Sequence, residues 1–457
     1  MERRRLLLTG EQAEGRVPSS FLVAAALHQK GYRLRLFLVG TDPHLSVLLQ
    51  RLCEQEVTLL DPWLCGTTKN LRALFQAASD ESALNLILAP LAPGRLEEGK
   101  VRIHPSTVEV ARQIGGALIP LIYGDGSSMV TAHLAQDVLR EMKRLDMGEP
   151  AALVFSSLPN LREYQLLELE MGRRMPSLGL GFVPRHLERS LPPMEELLDD
   201  ELWRQATLSL RVAAAQLESL SGQIGWPFFA ALAAFYRSWE PSPFPLDPLP
   251  ARPLVSLLRP QGVDVAGNNI RLFLEGLDCR LVEASLTEGR LADRADAVIV
   301  LPGAATRILL ALASNGTLRS QLSLSLLGRR PLLVMGTALP PLGRRIILGG
   351  NSVRGLDFFP FETLLEGAQG VEGLFEAGIP SETGDAFLRG RERLRGWLPK
   401  GFQIQDAFDI ADDVWSLFDD KGSPQPRCGG WSSGPSVVTP LVFEFWSQPA
   451  VFRRWLS

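Results

Sequence analysis

The reading of this chain turns on Leu327-Gly328-Arg329-Arg330-Pro331-Leu332-Leu333-Val334-Met335-Gly336-Thr337-Ala338-Leu339-Pro340-Pro341-Leu342-Gly343. Residues 331–335 read as a buried strand that runs into a sharp turn and a following helix. A strand, turn and helix in this order is where a nucleophile elbow would present its side chain. Gly336 stands at the tip and supplies none.

Outward from that turn, apolar runs at 254–258, 279–283 and 297–301 read as strands. Runs at 268–274, 306–313 and 318–327 read as helices. Alternation of this kind predicts an α/β layer with a parallel sheet over 254–457. Before it, Glu240-Pro241-Ser242-Pro243-Phe244-Pro245-Leu246-Asp247-Pro248-Leu249-Pro250-Ala251-Arg252-Pro253 holds six prolines and no helical period. Residues 241–253 are therefore expected to be a stiff connector behind a first domain of 1–240.

That first domain opens with a strand at 5–8, a helix at 21–27 and a strand at 34–39, a βαβ unit. The loop between spells Gly10-Glu11-Gln12-Ala13-Glu14-Gly15-Arg16-Val17-Pro18-Ser19-Ser20. A P-loop needs Gly-x4-Gly-Lys-Ser/Thr: glycines so that amides face phosphate, a lysine for the outer phosphates, a hydroxyl for magnesium. Gly10 and Gly15 keep the spacing, but Arg16 replaces the lysine and Val17 the hydroxyl. Glu11 and Glu14 add negative charge, and Pro18 removes an amide. The expectation is a P-loop fold with a vestigial nucleotide loop. Helices at 195–220 and 226–236 are expected to cover the sheet, their aromatic residues serving the core.

The 457 residues are 46% hydrophobic and 21% charged, with a net charge of −4, which gives no case for nucleic-acid binding. Four cysteines (Cys53, Cys65, Cys279, Cys428) form no Cys-x-x-Cys pair, which fits a reducing compartment and no zinc site. The N-terminal apolar run is too short for a signal peptide, and no run approaches membrane-span length, so a cytoplasmic protein is expected. The five histidines all lie at or before His186.

Further stretches bear a collinear resemblance to the cobyrinate a,c-diamide synthase family of glutamine amidotransferases. Phe37-Leu38-Val39-Gly40-Thr41-Asp42-Pro43 resembles its Phe-Lys-x-Gly-Pro-Asp segment, and Leu60-Asp61-Pro62-Trp63 keeps its Leu-Asp-x-Trp signature. Ile87-Leu88-Ala89-Pro90 stands where a strand ends in Glu-Gly; Ser106 to Ala111 and Gly181 to Arg185 resemble two later segments. In the second half, Pro331, Leu339, Leu342 and Gly343 keep the register of the Glu-Cys-Gly-Gly elbow, with Met335 at the acidic position and Gly336 at the cysteine. Leu301-Pro302-Gly303-Ala304-Ala305-Thr306-Arg307 resembles the Leu-x-Gly-Gly-x-x-Glu turn, with Arg307 at its acidic mark and a backbone oxyanion donor imaginable there. Val442-Phe443-Glu444-Phe445-Trp446-Ser447-Gln448-Pro449 resembles a His-x-His-Phe-x-Ser-x-Pro segment, with Val442 at the catalytic histidine.

The resemblance implies a dethiobiotin-synthetase-like P-loop domain joined to a class I glutamine-amidotransferase-like domain. In that family the first domain activates carboxylates, usually of tetrapyrroles, with ATP, and the second releases ammonia from glutamine. Here Arg16, Val17, Leu38, Ala89, Gly336 and Val442 all depart from the required chemistry. Glutamine hydrolysis needs a thiolate beside an imidazole base. Cys428-Gly429-Gly430 imitates the signature but is expected on a Pro/Gly/Ser-rich loop far beyond the elbow, with no base.

The expectation is a degenerate member without catalytic residues, cofactor or metal. It would act as a binding, chaperone or subunit protein for a tetrapyrrole or an active relative, as a homo- or hetero-oligomer. Gly10, Gly15 and Arg16 are its vestigial nucleotide loop, and Asp42 and Asp61 its surviving substrate-side candidates. Two alternatives stay open: an active ligase using ATP, magnesium and free ammonia, and a purely structural assembly subunit.

Overall fold

A computed structural model describes residues 2–12, 17–93, 101–124, 127–174, 177–190, 200–220, 224–236, 238–260, 266–303, 305–327, 330–365, 371–379, 384–400, 402–405 and 414–457. The chain is mixed α/β and separates into two compact units. One holds residues 1–40, 44–62 and 78–242; the other holds 41–43, 63–77 and 243–457.

The first part of the chain runs β1 (Arg5–Gln12), α1 (Ser19–Gln29), β2 (Leu34–Val39), α2 (Pro43–Cys53), β3 (Val57–Leu60), α3 (Pro62–Cys65), α4 (Thr68–Ala78) and β4 (Leu84–Pro93). It continues with α5 (Pro105–Gln113), β5 (Ala117–Tyr123), α6 (Ser128–Arg144), β6 (Leu153–Leu158), α7 (Leu161–Arg174), β7 (Gly179–Pro184), α8 (Arg185–Arg189), α9 (Asp200–Ser219) and α10 (Trp226–Phe235). Seven strands form one sheet in the order β3-β2-β4-β1-β5-β6-β7, every neighbouring pair parallel. Parallel neighbours need crossover segments, and these helices supply them. Strands β3 and β6 are buried at every position, the polar Thr58, Ser156 and Ser157 included. The chain leaves β1 toward β2 on one side and leaves β5 toward β6 on the other. In parallel α/β sheets such diverging connections mark where ligands bind, here the carboxyl ends of β1 and β5.

The second half runs β8 (Leu254–Arg259), α11 (Gly267–Gly276), β9 (Arg280–Ser285), β10 (Ala297–Val300), α12 (Ala305–Ser314), α13 (Gly316–Leu327) and β11 (Leu332–Met335). It then becomes almost wholly β: β12 (Arg345–Leu348), β13 (Asn351–Arg354), β14 (Glu362–Leu365), β15 (Val371–Gly378), β16 (Arg393–Pro399), β17 (Phe402–Gln405), β18 (Trp415–Asp419), β19 (Pro424–Ser433), β20 (Ser436–Thr439) and β21 (Val442–Phe443), closed by α14 (Pro449–Trp455). Ten strands order as β21-β16-β15-β18-β19-β20-β11-β10-β8-β9, and β13-β12-β14-β17 form a small separate sheet.

The sequence-based expectation of a parallel second sheet needs correction. Only β20-β11-β10-β8-β9 is parallel; β19, β18, β15, β16 and β21 extend it antiparallel. The cause is short connections. Gly434 (φ +58) and Pro435 alone link β19 to β20, and a two-residue link can only reverse the chain. A second correction falls on the elbow. Two 3-10 turns, Gly336–Ala338 and Pro340–Leu342, follow β11 in place of an α-helix. Pro340 and Pro341 have no N–H to donate, so helical hydrogen bonding stops there.

Residues 63–77 belong to the second unit, although the sequence assigns them to a first domain of 1–240. There the Arg395 guanidinium lies 4.8 Å over the Trp63 ring and donates to the Trp63 carbonyl at 2.8 Å. Asn70 donates to the Trp446 carbonyl at 2.7 Å and to the Cys65 carbonyl at 3.1 Å. Among the described residues no helix is long and apolar enough to cross a membrane.

Candidate functional site

In the second unit the elbow is built and then filled. β11 delivers Gly336 into the left-handed region (φ +54), the conformation a sharp strand-end turn demands. A Cβ placed on Gly336 would stand 2.6 Å from Val442 Cγ2, with Pro399 Cγ at 3.5 Å and Pro302 Cβ at 3.6 Å. Gly336 and Val442, to which the resemblance would give the nucleophile and the base, are therefore neighbours, and the Val442 methyl fills the space a side chain at 336 would need. Val442 and Met335 are buried in the core.

The backbone donor expected in the 301–307 turn is also engaged: the Gly303 amide donates to Thr337 Oγ1 at 3.0 Å. Arg307, at the acidic mark, already has an interaction partner. No histidine occurs in this unit, since His28, His44, His104, His133 and His186 all belong to the first. Thr337 thus has no imidazole to activate it.

Cys428 lies on β19, not on a loop as the sequence suggested. Burial pushes its thiol up to about 12, the opposite of what a nucleophile needs. Sequence reasoning missed this placement because the glycines beside it read as turn residues. Gly429 and Gly430 instead let backbone approach: a Cβ on Gly430 would meet the Val438 carbonyl oxygen at 2.7 Å.

In the first unit Gly10 and Asp61 stand at the carboxyl ends of β1 and β3. Gly10 lies on β1, two residues before its end; a Cβ there would meet Ser20 Oγ at 3.3 Å. Gly15 and Arg16, with Glu14, lie outside the described residues. Val17, Leu38 and Ala89 are all buried, so three positions expected to carry polar chemistry serve packing. α1 begins at Ser19 behind Pro18, which offers no side-chain cap.

The sequence reading overlooked Glu188. Its side chain is 8% exposed and accepts a short hydrogen bond from Ser19 Oγ, at the first residue of α1. Ser156 and Ser157 also hydrogen-bond to it. Burial raises its pKa, and the serine contacts pull the other way. Ser157 adopts φ +61, and Arg185 donates to its carbonyl at 3.0 Å. The start of a helix carries partial positive charge and attracts anions. Here the protein's own carboxylate meets it. No local pattern marks Glu188; it reads as one more charge on a short helix until the fold sets it against α1.

Asp61 is buried in the first unit, and its charge acts on His104, whose pKa is nonetheless lowered, chiefly by burial. His104 caps α5 by accepting from the Ser106 amide at 3.3 Å, and Thr107 donates to the Pro90 carbonyl at 2.6 Å. Asp42 belongs to the second unit, so neither unit by itself contains both aspartates. Both have interaction partners. Among the described residues no group of three or more His, Cys, Asp or Glu could hold a metal ion.

No protein-family model matches the chain. No curated protein matches it either. Among solved structures, PurLQS from Thermotoga maritima aligns at a TM-score of 0.31 with 13% identity, covering 45% of this chain and 98% of its own. The MinD cell division protein of Aquifex aeolicus aligns at 0.28 with 12% identity, covering 48% and 98%.

Proposed function

We propose that this chain is a non-catalytic relative of the cobyrinate a,c-diamide synthases, with a P-loop-like first unit and a glutamine-amidotransferase-like second unit, retained for binding. Its role in this reading is that of a chaperone or subunit that holds a tetrapyrrole or an active relative. The observation that carries the reading is the contact between Gly336 and Val442: the elbow is kept, and the space for a nucleophile is occupied. Glu188 against Ser19 supports it from the first unit, because an internal carboxylate opposes phosphate at the start of α1.

The test is native purification followed by absorbance spectroscopy and mass spectrometry, with glutaminase and ATP-binding assays on the same sample. A co-purifying pigment or protein, no ammonia release and no micromolar ATP affinity are expected. Glutamine turnover that disappears in Cys428→Ser would overturn the reading. Micromolar ATP binding with magnesium would favour an active ligase fed by free ammonia.

A further inference from the structure

Between Ala297 and Leu356 the chain carries seven arginines and no aspartate or glutamate, within a protein of net charge −4. Charge of one sign is thereby concentrated in one stretch of the second unit. Two of these arginines are neutralised from just beyond the stretch: Arg344 lies 3.5 Å from Asp357, and Arg345 lies 3.7 Å from Glu362. Arg319 and Arg354 have no carboxylate partner among the described residues.

Those two arginines line the same cavity, of about 290 Å³, with Ser320, Ser323, Leu356 and Phe358. Arg319 and Ser320 come from the N-terminal half of α13, and Arg354 ends β13. α13 has no acidic residue in its first turn to offset the positive end of its dipole. The charges of Arg319 and Arg354 therefore add at this cavity. Two like charges lining one cavity repel one another, and a bound anion relieves that repulsion. The hydroxyls of Ser320 and Ser323 donate back to Gly316 and Arg319 carbonyls at 2.9 and 3.0 Å, leaving their oxygens on the rim. Phe358 supplies an apolar wall.

We propose that this cavity binds a small phosphorylated metabolite, its phosphate held between Arg319 and Arg354 and its organic part against Phe358. Guanidinium groups match phosphate oxygens in charge and geometry. The volume suits a phosphate ester of a few carbons, at the low end of ligand-pocket sizes. A concave site whose two cations have no carboxylate partner among the described residues favours a compact anion over an extended polyanion, which needs a long basic stripe.

The probes are inorganic pyrophosphate and glycerol 3-phosphate, titrated calorimetrically into the full chain at low ionic strength. Saturable one-site binding is expected. Arg319→Gln and Arg354→Gln should each weaken it by about tenfold or more. Arg344→Gln, which removes an already paired charge, should leave it within about twofold. Both tested arginines are exposed, and an unchanged thermal midpoint will show that the variants fold. Absence of saturable binding by the wild-type chain overturns the proposal. So does equal weakening by Arg344→Gln, which would mean diffuse charge attraction. Tighter binding of a single-stranded oligonucleotide, indifferent to Arg319→Gln, overturns it in favour of a polyanion surface.

Discussion

Val442 Cγ2 lies 2.6 Å from where Gly336 would carry a Cβ. Restoring a cysteine at Gly336 therefore meets two penalties, a methyl clash and a positive φ. Gly336→Cys is expected to destabilise the protein by about 1–3 kcal/mol in denaturant unfolding. Combined with Val442→Ala, the two effects should be non-additive by roughly 1 kcal/mol, since the smaller residue vacates the space. Strict additivity would show that the two positions do not compete. Neither variant should release ammonia from glutamine, because no base has been added.

Glu188 makes stability depend on pH in a defined direction. Its folded pKa is raised above the ordinary glutamate value of 4.5, so the folded state favours the proton. The associated stability is full below 4.5 and declines as pH rises through the folded pKa. Glu188→Gln removes the titration, and its urea-unfolding free energy should be flatter than wild type across that window. A wild-type profile that rises with pH there, and loses the rise in Glu188→Gln, would reverse the assignment.

Asp385 organises the antiparallel half of the second unit. One carboxylate oxygen accepts from the Phe387 and Leu388 amides, both at 2.7 Å; the other accepts from Trp415 Nε1 at 2.8 Å and Ser432 Oγ at 2.6 Å. Asp385→Ala leaves the indole of fully buried Trp415 without its acceptor, along with two amides. A loss of about 2–4 kcal/mol is expected in chemical denaturation. A loss below about 0.5 kcal/mol would mean that water replaces the carboxylate at no cost.

The cysteines should be silent. All four are buried, and burial pushes the thiols of Cys53 and Cys428 up to about 12 and that of Cys279 up to about 11. Ellman's reagent at neutral pH should titrate none of them in the native protein and all four in guanidinium chloride. Fast reaction of Cys428 in the native state would restore it as a candidate nucleophile.

Asp42 and Asp61 divide between the two compact units. In our reading each helps to hold whatever the protein retains. Asp42→Asn and Asp61→Asn are expected to reduce the co-purifying pigment or partner, measured beside the unfolding midpoint of each variant. Wild-type recovery of the partner in both variants would make the aspartates turn residues only.

The βαβ start and the run of parallel strands in the first half were legible because each is a local pattern of apolar runs and glycine loops. So was the absence of a nucleophile at Gly336 and of any histidine beyond His186. The β-rich second half was not legible in the same way. Its strands around Cys428 are short and glycine-laden, and their pairing is decided by hairpin links and neighbours far along the chain.

By itself, then, the amino-acid sequence determined which chemical groups are available, because composition cannot be altered by folding. Only the tertiary structure decided where the remaining groups meet. It set Val442 against Gly336, turned Glu188 onto Ser19 at the start of α1, and placed Arg319 and Arg354 around one cavity. Those relationships span 106, 169 and 35 residues, being 442 − 336, 188 − 19 and 354 − 319. No local periodicity carries such distances; they follow from how strands and helices pack once the chain has closed its cores.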